Sequence, residues 1–257
     1  LAAYTRSGPK AKSMQNKRAA IFIPTFASGG AESTMVILAR ELQARGYEVD
    51  LLVKSKAGGL SQSIPDSLRI IEFNVSTMRY TLRKLISYCN KEVPVAIVSA
   101  MELPNLISVI AGLFARQRPK TIVSIHSILS KQKPIYGRMI DRILFGILYR
   151  LSDKIGCVSN TCAQDAIRYL GLPRAKVRVI YNPVFRPEIL EKAKERISYA
   201  WLDDKPAIKI LSIGRLVTEK DQKTLIKALK LVRERYDAQL IILGEGPLRS
   251  ELLQLAQ

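Results

Sequence analysis

Histidine is almost missing from this 257-residue sequence, with His126 the one example. A His-rich metal site is thereby excluded, and a Ser-His-Asp triad would have only His126 as its base. Cysteine is scarce too. Cys89, Cys157 and Cys162 form an odd set whose spacing fits no zinc or redox motif, which predicts free thiols in a reducing compartment. No apolar run reaches the roughly 18 residues that a membrane-crossing helix needs. The first residues are basic and polar, without the apolar core of a signal peptide. They start at Leu1 rather than Met, so trimming at that end is expected. What is left argues against metal-dependent hydrolysis.

Acidic residues are also in short supply. There are 22 Asp and Glu against 41 Lys and Arg, a net charge of +19. The excess is uneven: residues 51–150 hold 15 basic and 5 acidic side chains, whereas residues 201–257 hold 10 and 8. Charge concentrated in one half points to a face that meets something anionic, either nucleic acid or an anionic membrane surface. Nucleic acid ranks low, because no recognised nucleic-acid motif appears and the basic residues are not interleaved with aromatic platforms. With 47% hydrophobic and 25% charged residues the chain has an ordinary globular composition, which argues against extended disorder.

Short apolar runs alternate with helical patterns along the first 183 residues. Ala19 to Pro24, Tyr47 to Val53, Arg69 to Phe73, Val95 to Ala100, Thr121 to Ile125, Ile155 to Ser159 and Val177 to Tyr181 read as strands. A helix is predicted from Ala31 to Arg45, ended by Gly46. Strands that are apolar throughout and separated by helices predict a doubly wound α/β domain with a parallel sheet covered on both faces. Residues 1–18 read as a basic tail and 184–206 as a polar helical connector. A second α/β unit begins at residue 207, with strands at Ile208 to Gly214 and Gln239 to Gly244 and a helix from about Asp221 to Tyr236. Two strands are too few to bury a parallel sheet, and the sequence stops within a helix, so this unit reads as incomplete.

Three loops carry the chemistry. Ser28 to Ser33, SGGAES, joins the first strand to the first helix, where Gly29 and Gly30 allow close backbone approach and the helix N-terminus favours an anion. A tight turn needing glycine would give the same residues. Gly214 to Asp221, GRLVTEKD, occupies the corresponding place in the second unit and supplies Arg215 and Lys220, five residues apart, at the sheet edge where doubly wound folds bind ligands. An arginine fork and a lysine point charge suit a diphosphate. Gly244 and Gly246, in GEGP after the second strand, would again let backbone approach a phosphate.

With these pieces in order, the sequence resembles the family 4 glycosyltransferases of the GT-B fold over nearly its whole length. The resemblance is carried by FIPTFASGGAE, by SIH at Ser124 to His126, by DKIGCVSNTCAQDAIRYLGLPRAKVRVIYNPV at 153–184, by GRLVTEKDQKTLIKAL at 214–229 and by LIILGEGPLRSELLQLA at 240–256. It implies two Rossmann-like domains facing across a cleft, and metal-free transfer of a sugar, with retention of configuration, from a nucleotide diphosphate to a glycan or lipid-linked acceptor. No cofactor is expected; the nucleotide sugar is a substrate, a UDP-sugar ahead of GDP-mannose. Arg215 and Lys220 match the pair that holds the diphosphate and stabilises its departing charge. Gly29 and Gly30 match the loop that approaches the phosphates and the reacting sugar, and His126 matches a residue touching the donor sugar; a buried structural histidine is the competing reading.

The sequence departs from the family twice. Asp221 stands where the family usually has Gly, and puts a negative charge near the proposed diphosphate pair. The family's two glutamates, seven residues apart, have no match within these residues. A chain ending at Gln257 would lack part of the donor site, which leaves a non-catalytic scaffold as the alternative to a transferase. Two further segments, 77–91 and 131–154, mix Arg and Lys with apolar residues at helical spacing. In the second, Ile140, Ile143, Leu144, Ile147, Leu148 and Leu151 form a stripe flanked by Arg138, Arg142 and Lys154, which would suit either a membrane interface or the protein core. The expected location is cytoplasmic, peripheral at the inner membrane face.

Overall fold

The structure is a computed structural model, and it describes residues 18–27, 29–132, 135–183, 187–195 and 208–256. Most of the basic tail and the expected connector segments 184–186 and 196–206 lie outside the described residues. The chain divides into two compact units, residues 1–185 and 186–257.

The first unit is built on seven parallel strands: β1 (Arg18–Ile23), β2 (Glu48–Val53), β3 (Arg69–Glu72), β4 (Ala96–Ala100), β5 (Lys120–Ile125), β6 (Lys154–Cys157) and β7 (Val177–Val179). Their spatial order is β3-β2-β1-β4-β5-β6-β7. Five helices connect them: α1 (Gly30–Ala44), α2 (Met78–Glu92), α3 (Glu102–Phe114), α4 (Arg138–Leu151) and α5 (Asn160–Leu170). The apolar runs in the sequence are uninterrupted because both sheet faces are covered. Along β1, Ile21 and Ile23 join one core with Met35, Val36 and Ala39 of α1, while Ala20 and Phe22 join another with Leu85, Tyr88 and Cys89 of α2. Successive strand residues point to opposite faces, so each face claims every second side chain. A third core packs β5 and β6 against Phe145, Leu148 and Tyr149 of α4 and Ala163, Ala166 and Leu170 of α5.

Arg18 corrects the expected tail boundary. It opens β1, paired in register with Glu48. Its guanidinium pairs with Glu48 at 2.7 Å, with the buried Asp50 at 3.3 Å, and with Glu92. Three carboxylates draw this one cation out of the tail and into the sheet.

The helix expected within 131–154 is shorter than its periodicity. Lys131 ends a short 3₁₀ turn, and α4 starts only after Gly137, whose φ of +119° suits a residue without Cβ. Asp141, buried in the first turn, accepts from the backbone N–H groups of Ile135 (2.6 Å) and Tyr136 (3.0 Å). That carboxylate fixes the entry to the helix. Lys133 and Pro134 lie outside the described residues.

The second unit contains α6 (Pro187–Lys192), the parallel pair β8 (Ile208–Ile213) and β9 (Ala238–Leu243), α7 (Gln222–Arg233) and α8 (Arg249–Ala256). Here β8 leaves Ile208, Leu211 and Ile213 exposed, unlike any strand at the centre of the larger sheet.

Candidate functional site

In the first unit the chain order reverses between β1 and β4, which lie side by side in the sheet. The loops leaving these strands and β5 all sit at the carboxyl edge, where such sheets form a crevice. Gly29 is the N-cap of α1 and Gly30 its first residue; Ser28, between them and β1, lies outside the described residues. The two glycines are not alike. A Cβ on Gly29 would stand 2.2 Å from Oε2 of Glu32, so the carboxylate of the first turn curls over it, whereas nothing lies within 4 Å of the same position on Gly30. Gly30 therefore leaves open space beside the helix N-terminus. The loop before them is held by the next one: Phe26 N–H donates to Ala57 and Leu60 N–H to Phe26, at 2.9 and 3.0 Å. Gly58 makes this approach possible, since at φ +125° its Cβ would meet the Phe26 carbonyl oxygen at 2.1 Å.

His126 follows β5, at the same edge. Its Nε2 is 2.9 Å from the Ser124 hydroxyl, while its Nδ1 is buried without a hydrogen-bond partner. Burial lowers its pKa below the usual histidine value, because an imidazolium would lose hydration there. The backbone on either side is braced from α5: Cys162 Sγ–H faces the carbonyls of Ile125 and Ser127 at 3.4 and 3.3 Å. Ser127 donates to Glu102 of α3 at 3.3 Å. Beneath Ser124 lies a buried polar chain in which Ser99 donates to Asn105, and the Asn105 amide donates to the Ser124 carbonyl at 2.9 Å and to the Tyr149 hydroxyl at 3.2 Å. Sequence reasoning missed Ser124 as a partner. The spacing of two between Ser124, near the end of β5, and His126, just beyond it, was a signal that could have found it.

In the second unit Arg215 and Lys220 are brought to one loop, between β8 and α7. Both are exposed, and among the described residues no carboxylate pairs with either. The aliphatic part of Lys220 lies over Gly214, with Cδ and Cε 3.7 Å from where a Cβ would be. The loop backbone is fixed by Gln222, buried in α7, whose amide donates to the Arg215 carbonyl at 2.9 Å. Sequence reasoning missed this residue too, since an i+7 side chain-to-backbone contact has no compositional mark.

Asp221 has φ +48° and ψ +43°, and its carboxylate accepts from Thr224 N–H at 3.4 Å as the N-cap of α7. The left-handed conformation explains why glycine suits this position, and Asp is among the few other residues that tolerate it. Its charge is directed to the helix N-terminus.

Gly244 and Gly246 both lie against neighbouring backbone. A Cβ on Gly244 would stand 1.9 Å from the Gly214 carbonyl oxygen, and one on Gly246 2.4 Å from that of Leu216. These glycines let the β9–α8 loop close on the loop carrying Arg215, an approach sealed by Leu216 N–H donating to Glu245 at 2.9 Å. Among the described residues no group of three or more His, Cys, Asp or Glu side chains gathers as metal ligands.

Residues 28–185 match the sequence profile of Glycosyltransferase Family 4, and residues 193–257 that of Glycosyl transferases group 1. The chain is 28% identical over 254 residues to N-acetylgalactosamine-N,N'-diacetylbacillosaminyl-diphospho-undecaprenol 4-alpha-N-acetylgalactosaminyltransferase of Campylobacter jejuni, covering 91% of the chain and 64% of that protein. It is 42% identical over 73 residues to a GDP-mannose-dependent alpha-(1-6)-phosphatidylinositol monomannoside mannosyltransferase of Mycobacterium tuberculosis, covering 28% of the chain and 18% of that protein. Among solved structures it shares its fold with an Anabaena protein in complex with UDP-glucose, at TM-score 0.69 and 16% identity, covering 93% of the chain and 65% of that one. The chain therefore spans just under two thirds of the length of the proteins it matches along most of its own.

Proposed function

Since the chain belongs to Glycosyltransferase Family 4, we propose that it serves a glycosyltransferase that moves a sugar from a nucleotide diphosphate to a lipid-linked or glycan acceptor with retention of configuration. The observation that carries the reading is the pair of exposed cations, Arg215 and Lys220, with no carboxylate partner among the described residues, on one braced loop at the carboxyl edge of a parallel sheet. In the transfer the bond from the sugar's anomeric carbon to the diphosphate oxygen breaks and a bond to the acceptor oxygen forms. The acceptor hydroxyl proton passes to the released diphosphate. Arg215 as a fork and Lys220 as a point charge would stabilise the charge that grows on the leaving oxygens. His126, neutral and held through Ser124, would contact the donor sugar, with Gly30 leaving room beside the helix N-terminus for the reacting end.

A UDP-sugar is favoured as donor by the solved UDP-glucose complex of the structural relative, and GDP-mannose is the alternative raised by the mycobacterial one. The Campylobacter relative's name supports a diphospho-polyprenol acceptor. The test is thermal stabilisation by UDP, GDP and their sugars. One nucleotide should raise the melting temperature, and Arg215→Ala should weaken its binding about tenfold or more, the loss expected when hydrogen bonds to a charged group are removed. Unchanged affinity after replacing both Arg215 and Lys220 would defeat the site assignment.

A further inference from the structure

We propose, resting on the transferase reading above, that Glu32 binds hydroxyl groups of a sugar in the crevice of the first unit. Glu32, Met35, Val36 and Ala39 are the buried residues of α1. Their spacing puts all four on one face of the helix, the face turned to the sheet. Met35, Val36 and Ala39 pack there with Ile21 and Ile23 of β1 and Ala100 of β4. Glu32 heads this apolar row at the carboxyl edge, where the chain order reverses between β1 and β4. Ligands of doubly wound sheets bind at such a point. The side chain belongs to a residue only 6% exposed. A glutamate is rarely so buried without a partner, because its charge loses hydration. Yet among the described residues no hydrogen bond or ion pair reaches this carboxylate.

A purely structural role would be a helix cap. Glu32 is the third residue of α1, the place from which a glutamate reaches back to the backbone N–H of the residue before the helix. That bond is not made. The carboxylate instead lies where a Cβ on Gly29 would be, so Gly29 makes room for it, and the open side of Gly30 leaves space for a ligand next to it. The charge chooses the ligand. A buried carboxylate repels phosphate, and among the described residues no cationic side chain pairs with it. An uncharged hydrogen-bond donor is what the site lacks. Sugars present neighbouring O–H groups that the two oxygens of one carboxylate can accept together, and such charge-assisted bonds gain strength where water is excluded. The sugar of the nucleotide donor and the sugar of the acceptor offer this same chemistry.

Calorimetry on the full chain tests this and separates the two sources. The donor probes are UDP, UDP-glucose, GDP and GDP-mannose; the acceptor probes are the methyl glycosides of glucose and N-acetylgalactosamine, added with the bare nucleotide present. Glu32→Gln should leave the affinity for the bare nucleotide unchanged. It should lower, about tenfold or more, either the affinity of the nucleotide sugar relative to its nucleotide, which assigns the donor sugar, or that of a glycoside, which assigns the acceptor. Its melting temperature should not fall, since a buried charge without a partner is removed. Gly29→Ala, which displaces the carboxylate but keeps it in the chain, should reproduce the loss; it also crowds the turn, so Glu32→Gln carries the decision. A parent that binds a nucleotide, with a Glu32→Gln variant equal to it in both sugar measurements, overturns the proposal and leaves the transferase reading standing. A lower melting temperature with sugar binding intact would make Glu32 a cap and overturn it equally. A parent that binds none of the nucleotides overturns the transferase reading, and the role of Glu32 with it.

Discussion

Helices α2 and α4 carry nearly the same advertisement in sequence, basic residues mixed with apolar ones at helical spacing, and the fold uses them in opposite ways. In α2 the apolar side is the packed side: Thr81, Leu85, Tyr88 and Cys89 are buried, and Arg79, Tyr80, Arg83 and Lys84 face out. In α4 there is apolar material on both sides. The half with the aromatic rings and Gly146 goes inward, where Phe145 and Tyr149 contact at 5.6 Å, and the aliphatic half is left outside. The difference teaches that periodicity locates a stripe but does not orient it. Orientation follows from which face offers shape: rings to fill a core, and a glycine where a neighbouring helix end must come close.

The sharpest way to break this comparison is to truncate one aliphatic side chain on each helix. Leu85 is fully buried in the core against β1 and β2, so Leu85→Ala should destabilise the chain by about 2–5 kcal/mol through lost transfer energy and a cavity. Ile143→Ala should change stability by about 0.5 kcal/mol or less, as for an exposed position. Urea unfolding of the two variants measures both. A large loss at Ile143 would mean the stripe is covered in solution and the two helices are not opposites.

Much of the first unit was legible because its strands are buried on both faces. Runs such as AAIFI and TIVSI can only be central strands of a covered parallel sheet, and their order along the chain leaves few topologies open. The loops bearing Gly29, Gly30, Arg215 and Lys220 were legible for a related reason, since they follow strands and precede helices. The illegible parts depend on contacts across the chain. Gly244 and Gly246 read as residues that let backbone approach a phosphate; their fit against the carbonyls of Gly214 and Leu216 is a second demand for glycine that only β-pairing creates. Arg18 read as tail because its partners Asp50 and Glu92 are 32 and 74 residues away. Asp221 read as a disturbing charge because its left-handed backbone and its capping bond are properties of the turn.

A smaller effect sharpens the same contrast at the entrance to α4. Asp141 is the acid that the outward face lacks, and it satisfies two backbone N–H groups that also position Ile135 and Tyr136. Asp141→Ala should lower stability by about 1–3 kcal/mol, the usual penalty for leaving polar groups unpaired. Asp141→Asn, which retains an acceptor, should recover part of it. Full stability retained in Asp141→Ala would mean that these two N–H groups find other partners.

The smallest predicted effect lies at the end of α2, where an ion network has no counterpart on α4 among the described residues. Glu92 bonds Arg69 at 2.9 and 3.2 Å and also pairs with Arg18, and these contacts, the Arg69 hydrogen bond first, hold its carboxyl below the ordinary glutamate range. A carboxyl with a depressed folded-state pKa stabilises the fold above its unfolded value and loses that contribution as the pH falls through the depressed one. Wild type should therefore exceed Glu92→Gln in stability at neutral pH by about 1 kcal/mol or less, given that Arg69 is half exposed. Between pH 5 and lower values, about where a free glutamate titrates, the gap should close. Unfolding free energies of both proteins across that range decide it. A gap that is constant with pH would mean that Glu92 acts through packing rather than through its charge.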